Sequence, residues 1–238
     1  MPKIKLNIKR PSWDSVSKGY EEINEIGKDE YDKVITNGGS KNQAELAQAK
    51  ERYKKVGGQA YREFNRDSES YVNTCAFRLS YALNYGGMPL IAGRAKLTNG
   101  TNLMGKDGYK YYTGVSGIKG LLLENWKQLK PYSQTNNRDF YKVFYDYRKE
   151  PFATLADKYG NVFNQARVDE IRKENKNFFD ILCALNIKGV VTMLIEGWGD
   201  AGGHTTLWNE KGFLDGTNYL NDEKVSIFVR ELCFWELK

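Results

Sequence analysis

One histidine, His204, occurs in 238 residues, and it follows a double glycine in Gly202-Gly203-His204-Thr205-Thr206-Leu207-Trp208-Asn209. Imidazole titrates near neutrality, so any imidazole chemistry in this chain rests on that residue, and a metal site built from several histidines is excluded. Of the three cysteines, Cys75 opens the run Cys75-Ala76-Phe77-Arg78-Leu79-Ser80-Tyr81-Ala82-Leu83. Cys183, within Phe178-Phe179-Asp180-Ile181-Leu182-Cys183, and Cys233, among Leu232, Phe234 and Trp235, read as buried small hydrophobes. A thiol at a helix start and an imidazole on a strand form the skeleton of a cysteine peptidase or amidase.

A cysteine attacks an amide carbonyl as a thiolate. Asn73 is expected to cap the helix and leave Cys75 in its first turn, where backbone N–H groups and the helix dipole stabilise the anion. His204 would act as the base. Its second ring nitrogen needs an acceptor to set the tautomer and to stabilise the imidazolium. Asp215, just past the histidine strand, is well placed. Asn209 is nearer, but five residues along the same strand it points to the other face; Asp200 and Asp222 are further candidates. The Cys75 N–H is expected to help form an oxyanion hole. Arg78, one turn past Cys75 on the same side of the helix, either holds a substrate carboxylate or pairs within the protein. Ser80, Gly203 and Trp208 complete the candidate substrate-binding set, with core packing as the competing reading for Trp208 and for Trp198.

The elements that must position these groups are partly legible. Residues 1 to 70 read as polar and irregular, apart from a charged helix over Lys41 to Lys55 between Gly38-Gly39 and Gly57-Gly58. The cysteine helix ends at Gly86-Gly87, and Ile118, Leu121, Leu122, Trp126 and Leu129 could share one face of a helix over 118–129. The tract from Pro131 to Asn177 is charged and tyrosine-rich at first, then helical in pattern, and is expected to carry one or two helices outside the core. Val190 to Ile195 is a mostly β-branched strand, a glycine-rich turn leads into the His204 strand, and Lys224 to Val229 begins another. Alternation puts His204, Thr206 and Trp208 on one face. Helices first and an antiparallel sheet last make an α+β plan, and with no repeat or proline-rich linker the chain reads as one domain over 1–238.

A net charge of +6 favours an anionic partner, or simply a solvated basic surface. Three scattered cysteines exclude a disulfide framework and a zinc site, and no cofactor is called for. Met1 to Arg10 lacks the apolar segment of a secretory signal, and no apolar run approaches membrane-spanning length. The expectation is a chain made soluble in the cytoplasm, without membrane insertion, and exported by another route if at all.

The blocks Asn73-Thr74-Cys75-Ala76-Phe77-Arg78-Leu79-Ser80-Tyr81-Ala82-Leu83-Asn84-Tyr85 and Gly203-His204-Thr205-Thr206-Leu207-Trp208-Asn209 resemble the two signature blocks of the fourth family of type VI secretion amidase effectors. Arg10-Pro11-Ser12-Trp13 and Lys55-Val56-Gly57-Gly58 extend the resemblance over most of the chain. It implies a papain-like fold of the NlpC type and cleavage of peptidoglycan stem peptides between D-glutamate and meso-diaminopimelate. It also implies a Cys75–His204–Asp215 triad, a cognate immunity protein, delivery by the type VI apparatus and action in the periplasm of target bacteria. Against the family pattern, the tract around 131–177 reads as an insertion.

Two other functions share these features. Another papain-like hydrolase, a protein peptidase or deamidase, would carry the same motifs. Circularly permuted acyltransferases are disfavoured because in them the histidine precedes the cysteine. A basic glycan- or nucleic-acid-binding module is compatible with sixteen tyrosines and the positive charge, but no nucleic-acid motif anchors it, and nucleic acid is not expected as a partner.

Overall fold

A computed structural model describes residues 10–126, 128–146, 148–149, 165–198, 202–221 and 227–238. The chain forms two compact units, Met1–Lys127 and Gln128–Lys238.

The first unit is mainly helical. The opening stretch, expected to be irregular, folds as α1 (Trp13–Glu25) and α2 (Lys28–Thr36), followed by α3 (Lys41–Val56) and α4 (Gly58–Arg66). The reason lies in α1: Ser12 caps it through its side chain, and Trp13, Val16, Tyr20 and Ile23 recur at helical spacing on one buried face. Each such side chain, fully buried, contributes about 1.5–3 kcal/mol. The Arg10-Pro11-Ser12-Trp13 motif is thus the entry to that helix. Ser40 and Gln43 close a capping box on α3. Then come α5 (Cys75–Tyr85), the short antiparallel strands β1 (Asn102–Met104) and β2 (Lys110–Tyr112), and α6 (Val115–Asn125). The latter stops before the expected Leu129 because the chain turns out of helical geometry at Trp126 (φ −104°, ψ −139°), whose ring packs under Arg10. Tyr53, Phe64, Phe77 and Tyr111 stack in the core of this unit.

The second unit is a five-stranded sheet in the order β3-β4-β7-β5-β6, from β3 (Lys130–Pro131), β4 (Asp139–Val143), β5 (Lys188–Glu196), β6 (Gly203–Asn209) and β7 (Phe228–Glu236). All pairings are antiparallel except β3 with β4. The helix α7 (Gln165–Ala184) lies on it through Phe178, which meets Phe140 and Phe144, and Phe179, which meets Trp208. The charged, tyrosine-rich start of the 131–177 tract thus supplies strands to this sheet, and its end enters α7, where the pattern is helical. Phe140 is fully buried and stacks on Phe234 of β7, so cross-strand packing decides its conformation. The middle of the tract, 150–164, lies outside the described residues, as do 222–226, where the last strand was expected to begin, and Met1 to Lys9. Asn175, buried on α7, donates its side-chain amide to the Val229 carbonyl and accepts the Val229 N–H, joining helix to sheet. No described helix is long and apolar enough to cross a membrane.

Candidate active site

Cys75 is the first residue of α5 and is buried. Thr74, just before it, has φ −96° and ψ 11°, outside the extended region from which a side chain caps a helix. The Asn73 side chain nevertheless takes part: Oδ1 accepts the Cys75 N–H at 3.2 Å, so the amide expected in the oxyanion hole is engaged here by a neighbour's oxygen. The Thr74 hydroxyl makes no cap to the helix. It accepts from Nη1 of Arg52, a buried arginine on α3, at 2.9 Å.

Arg78, one turn on, donates from Nη1 to Asn24 Oδ1 at 2.7 Å and lies over the Tyr20 ring. These are contacts within the protein, the second of the two roles open to it. Ser80 is fully buried. Its hydroxyl donates to the Ala76 carbonyl and accepts the Tyr112 N–H, both at 2.9 Å, so it ties β2 to α5 and is closed to substrate. Its place in the substrate-binding set is corrected: a serine hydroxyl that carries a buried hydrogen-bond pair has a structural task.

On the sheet, His204 is the second residue of β6, paired with Met193. Past β6 the chain reverses around Asn209, whose side-chain oxygen accepts the N–H groups of Lys211 and Gly212. The return leg then runs beside the strand, with Trp208 bridged to Phe213 and the Leu214 N–H on the Leu207 carbonyl. This reversal carries Asp215 back to the imidazole. His204 Nε2 lies 2.8 Å from Asp215 Oδ2, with both side chains almost wholly buried at 6% and 4% exposure. A buried carboxylate is acceptor only, so the tautomer consistent with this contact carries its proton on Nε2 and its lone pair on Nδ1.

Two further residues complete the pair, and neither was foreseen. Thr217 donates its hydroxyl to Asp215 Oδ1 at 2.7 Å, and its oxygen lies 3.2 Å from His204 Nε2. Tyr219 sets its ring edge-on to the imidazole at 5.0 Å and to Trp198 at 4.8 Å. Thr217 and Tyr219 sit an even number of residues past Asp215, on the same return leg, which is the one signal that could have pointed to them.

Asn209 closes the turn and does not reach the imidazole, in keeping with strand alternation. Asp200 and Asp222 lie outside the described residues. Trp208 is fully buried between Phe179 and Phe213, and core packing is its role rather than substrate binding. Gly203 is buried where β6 meets β5, and a Cβ there would run into the Met193 carbonyl oxygen, so strand contact explains the glycine. Cys183 sits on α7, where burial and then Asp180 push its thiol pKa up, and Cys233 is buried on β7 with its thiol 3.1 Å from Glu231.

The architecture, a helical unit with a cysteine opening one helix and a mostly antiparallel sheet bearing a His–Asp pair, is of the α+β class seen in papain-like NlpC-type hydrolases. Residues 71–150 match the family model described as Tae4, type VI secretion system (T6SS) amidase effector protein 4. Three solved structures are similar over nearly the whole chain. The type VI effector-immunity complex Tae4-Tai4 from Enterobacter cloacae covers 97% of this chain and 100% of that one, at 18% identity and a TM-score of 0.56. The effector-immunity system Tae4/Tai4 from Salmonella typhimurium covers 97% and 100%, at 16% identity and 0.56. The effector Tae4 from Enterobacter cloacae covers 98% and 100%, at 17% identity and 0.54. No curated protein sequence matches. At these identities the structural likeness establishes the fold, and the family model matches the segment that contains the cysteine helix. Over residues 71–150 the chain is similar to the type VI secretion amidase effectors that the Tae4 model describes.

Proposed function

We propose that this chain is an antibacterial peptidoglycan amidase that hydrolyses the D-glutamyl–diaminopimelate bond of stem peptides, with Cys75 as nucleophile, His204 as base and Asp215 as the residue that orients it. Both compact units serve that one activity. The observation that supports this reading best is the buried 2.8 Å contact between the chain's one histidine and Asp215, in a chain whose cysteine helix falls within the Tae4 match.

In this mechanism His204 takes the Cys75 thiol proton on Nδ1 while Asp215 accepts the hydrogen bond from Nε2–H. The sulfur attacks the carbonyl carbon, and N–H groups at the start of α5 stabilise the oxyanion. The imidazolium protonates the leaving amine of the diamino acid. Water, deprotonated by the same imidazole, then hydrolyses the thioester and releases the D-glutamyl carboxylate.

The type VI apparatus delivers the chain, which acts in the periplasm of target bacteria. The Salmonella and Enterobacter structures hold Tae4 with the immunity protein Tai4, and a cognate immunity protein guards the producer of this chain in the same way. Digestion of purified sacculi tests the activity. Wild type is expected to yield fragments that mass analysis identifies as cut ahead of the diamino acid, and Cys75→Ala, folded by circular dichroism, is expected to yield none. Intact muropeptides after wild-type treatment refute the amidase reading, and full activity in Cys75→Ala refutes the nucleophile. Expression directed to the periplasm should lyse cells while cytoplasmic expression is tolerated; equal toxicity in both places points to a target other than the wall.

A further inference from the structure

The tract around 131–177, which reads as an insertion, ends inside α7, and the fold gives that helix a place beside the histidine. Alternation sets His204 and Trp208 on one face of β6, and Trp208 meets Phe179 of α7 there. The helix therefore lies on the face of the sheet that bears the imidazole. Between α7 and the return leg past Asp215 is a cavity of about 230 Å³, where about 10–15 Å³ suffices for one water. Asp169, Arg172, Lys173 and Lys176 line it from α7, and Tyr219 and Leu220 line it from the return leg. Tyr219 is shared, since its ring also stands edge-on to His204 at 5.0 Å. A ligand in the cavity is thus one tyrosine ring away from the proposed base.

Among the described lining side chains three are cations and one is an acid. Helical spacing explains their common direction: Val168, Ile171, Asn175 and Phe178 form the buried row of α7, and positions 169, 172, 173 and 176 share the flank beside it. Asn175 lies in the same stretch and is locked to both backbone groups of Val229. The cations therefore project from backbone that is already fixed to the sheet, and preordered groups bind at a smaller entropic cost. An arginine fork takes a carboxylate through two parallel hydrogen bonds, and a lysine adds a compact charge. A basic flank that is merely solvated needs no wall opposite it. Here Tyr219 and Leu220 supply one, with apolar surface for the carbon skeleton of a ligand.

We propose that this cavity binds a free carboxylate of the stem peptide, held by Arg172 and Lys176 with Lys173 beside them, and that it makes the chain prefer acidic stems over amidated ones. The proposal rests on the amidase reading, and that substrate supplies the ligand. On one side of the bond cut, glutamate keeps a carboxylate that is not in the peptide bond; on the other, diaminopimelate is itself a diacid. An amide in the same place gives up the charge-assisted hydrogen bonds and turns N–H groups toward the N–H groups of the arginine. Arg172 and Lys176 are binding residues in this role and take no part in proton transfer.

Steady-state kinetics on three synthetic stem peptides test it: the free acid, the form amidated at glutamate and the form amidated at diaminopimelate. Wild type is expected to show a KM about tenfold higher on one of the amidated peptides, and which one identifies the carboxylate. Arg172→Gln/Lys176→Gln should raise KM on the free acid about tenfold with kcat within about twofold, and should add no further loss on that amidated peptide, because the partner group is already gone. Equal losses on all three peptides overturn the proposal, since a structural role would produce them, and so does a folded double variant with wild-type KM on the free acid. If the double variant does not fold, Lys173→Gln/Lys176→Gln, at two exposed positions, carries the same comparison with a rise of about threefold. A wild type that cuts all three peptides alike sinks this proposal alone; one that cuts none of them sinks the amidase reading and the proposal with it.

Discussion

The side-chain oxygen of Asn73 accepts the N–H of Cys75, two residues on, at 3.2 Å. In the proposed mechanism this donor is occupied before substrate arrives, and the tetrahedral intermediate would compete with a neutral amide for it. Charge-assisted hydrogen bonds are roughly twice as strong as neutral ones, so the oxyanion wins. Asn73→Ala is therefore expected to lower stability by about 1 kcal/mol, as loss of a local cap does, and to leave kcat within about threefold of wild type or above it. A hundredfold loss of kcat in the folded variant would make Asn73 itself part of the oxyanion hole.

Asp215→Asn keeps the shape of the pair but presents an amide where His204 needs an acceptor, so the imidazole is pushed toward the wrong tautomer. The expected loss of kcat/KM is at least roughly tenfold, about 1.4 kcal/mol of barrier. Asn209→Ala, which disturbs only the turn, should cost activity less. Steady-state kinetics on a stem-peptide substrate decides the matter: a dead Asn209→Ala beside a nearly normal Asp215→Ala would reverse the assignment.

Thr217→Val removes the hydroxyl that Asp215 Oδ1 accepts from and leaves the His204–Asp215 contact in place. One charge-assisted hydrogen bond is worth about 1.5–3 kcal/mol, part of which is spent in fold stability. A threefold to tenfold drop in kcat is expected with KM unchanged, and the drop should shrink at high pH, where less help is needed to ionise the thiol. A pH-independent loss would assign Thr217 a purely structural part.

Asn175 satisfies both backbone groups of Val229, and the pair is buried. Asn175→Leu leaves a donor and an acceptor without partners, at about 1–3 kcal/mol each, so chemical denaturation should show a loss of about 2–4 kcal/mol or an unfolded second unit. A loss below 1 kcal/mol would mean that α7 and β7 hold together without this link.

Burial and then Asp107 push the Tyr85 phenol up to about 12, and the same causes raise Tyr111, while burial and then Glu22 raise Tyr81. A free tyrosine ionises near 10. The unfolded chain therefore sheds these protons first as the medium grows alkaline, and the stability they supply is full below about pH 10 and is lost as pH rises through the folded values. Thermal unfolding of the first unit should fall steadily from pH 10 to pH 12. Tyr111→Phe should begin lower at pH 7 and fall less steeply. A Tm that is flat to pH 12 would contradict the Tyr85–Asp107–Tyr111 hydrogen-bond network.

Local chemistry made part of the candidate site readable from residues alone. Cys75 heads a helix because an apolar run starts there and Gly86-Gly87 stops it, and both signals lie within a dozen residues. His204 and Asp215 were legible for the same reason, since a strand, a turn around Asn209 and a return leg are one short hairpin-like excursion. What the sequence could not specify is where side chains find partners far along the chain. Arg52 meets Thr74 across 22 positions and Asn175 meets Val229 across 54, and Ser80 turned out to serve Tyr112 instead of a substrate. The strand at Asp139–Val143 was not foreseen because its conformation is decided by Phe140 stacking on Phe234, a contact that exists only once the sheet has formed. Residue type and short-range periodicity set which groups stand at element ends. Burial and hydrogen-bond completion, which depend on the whole fold, decided which of those groups are occupied with holding it together.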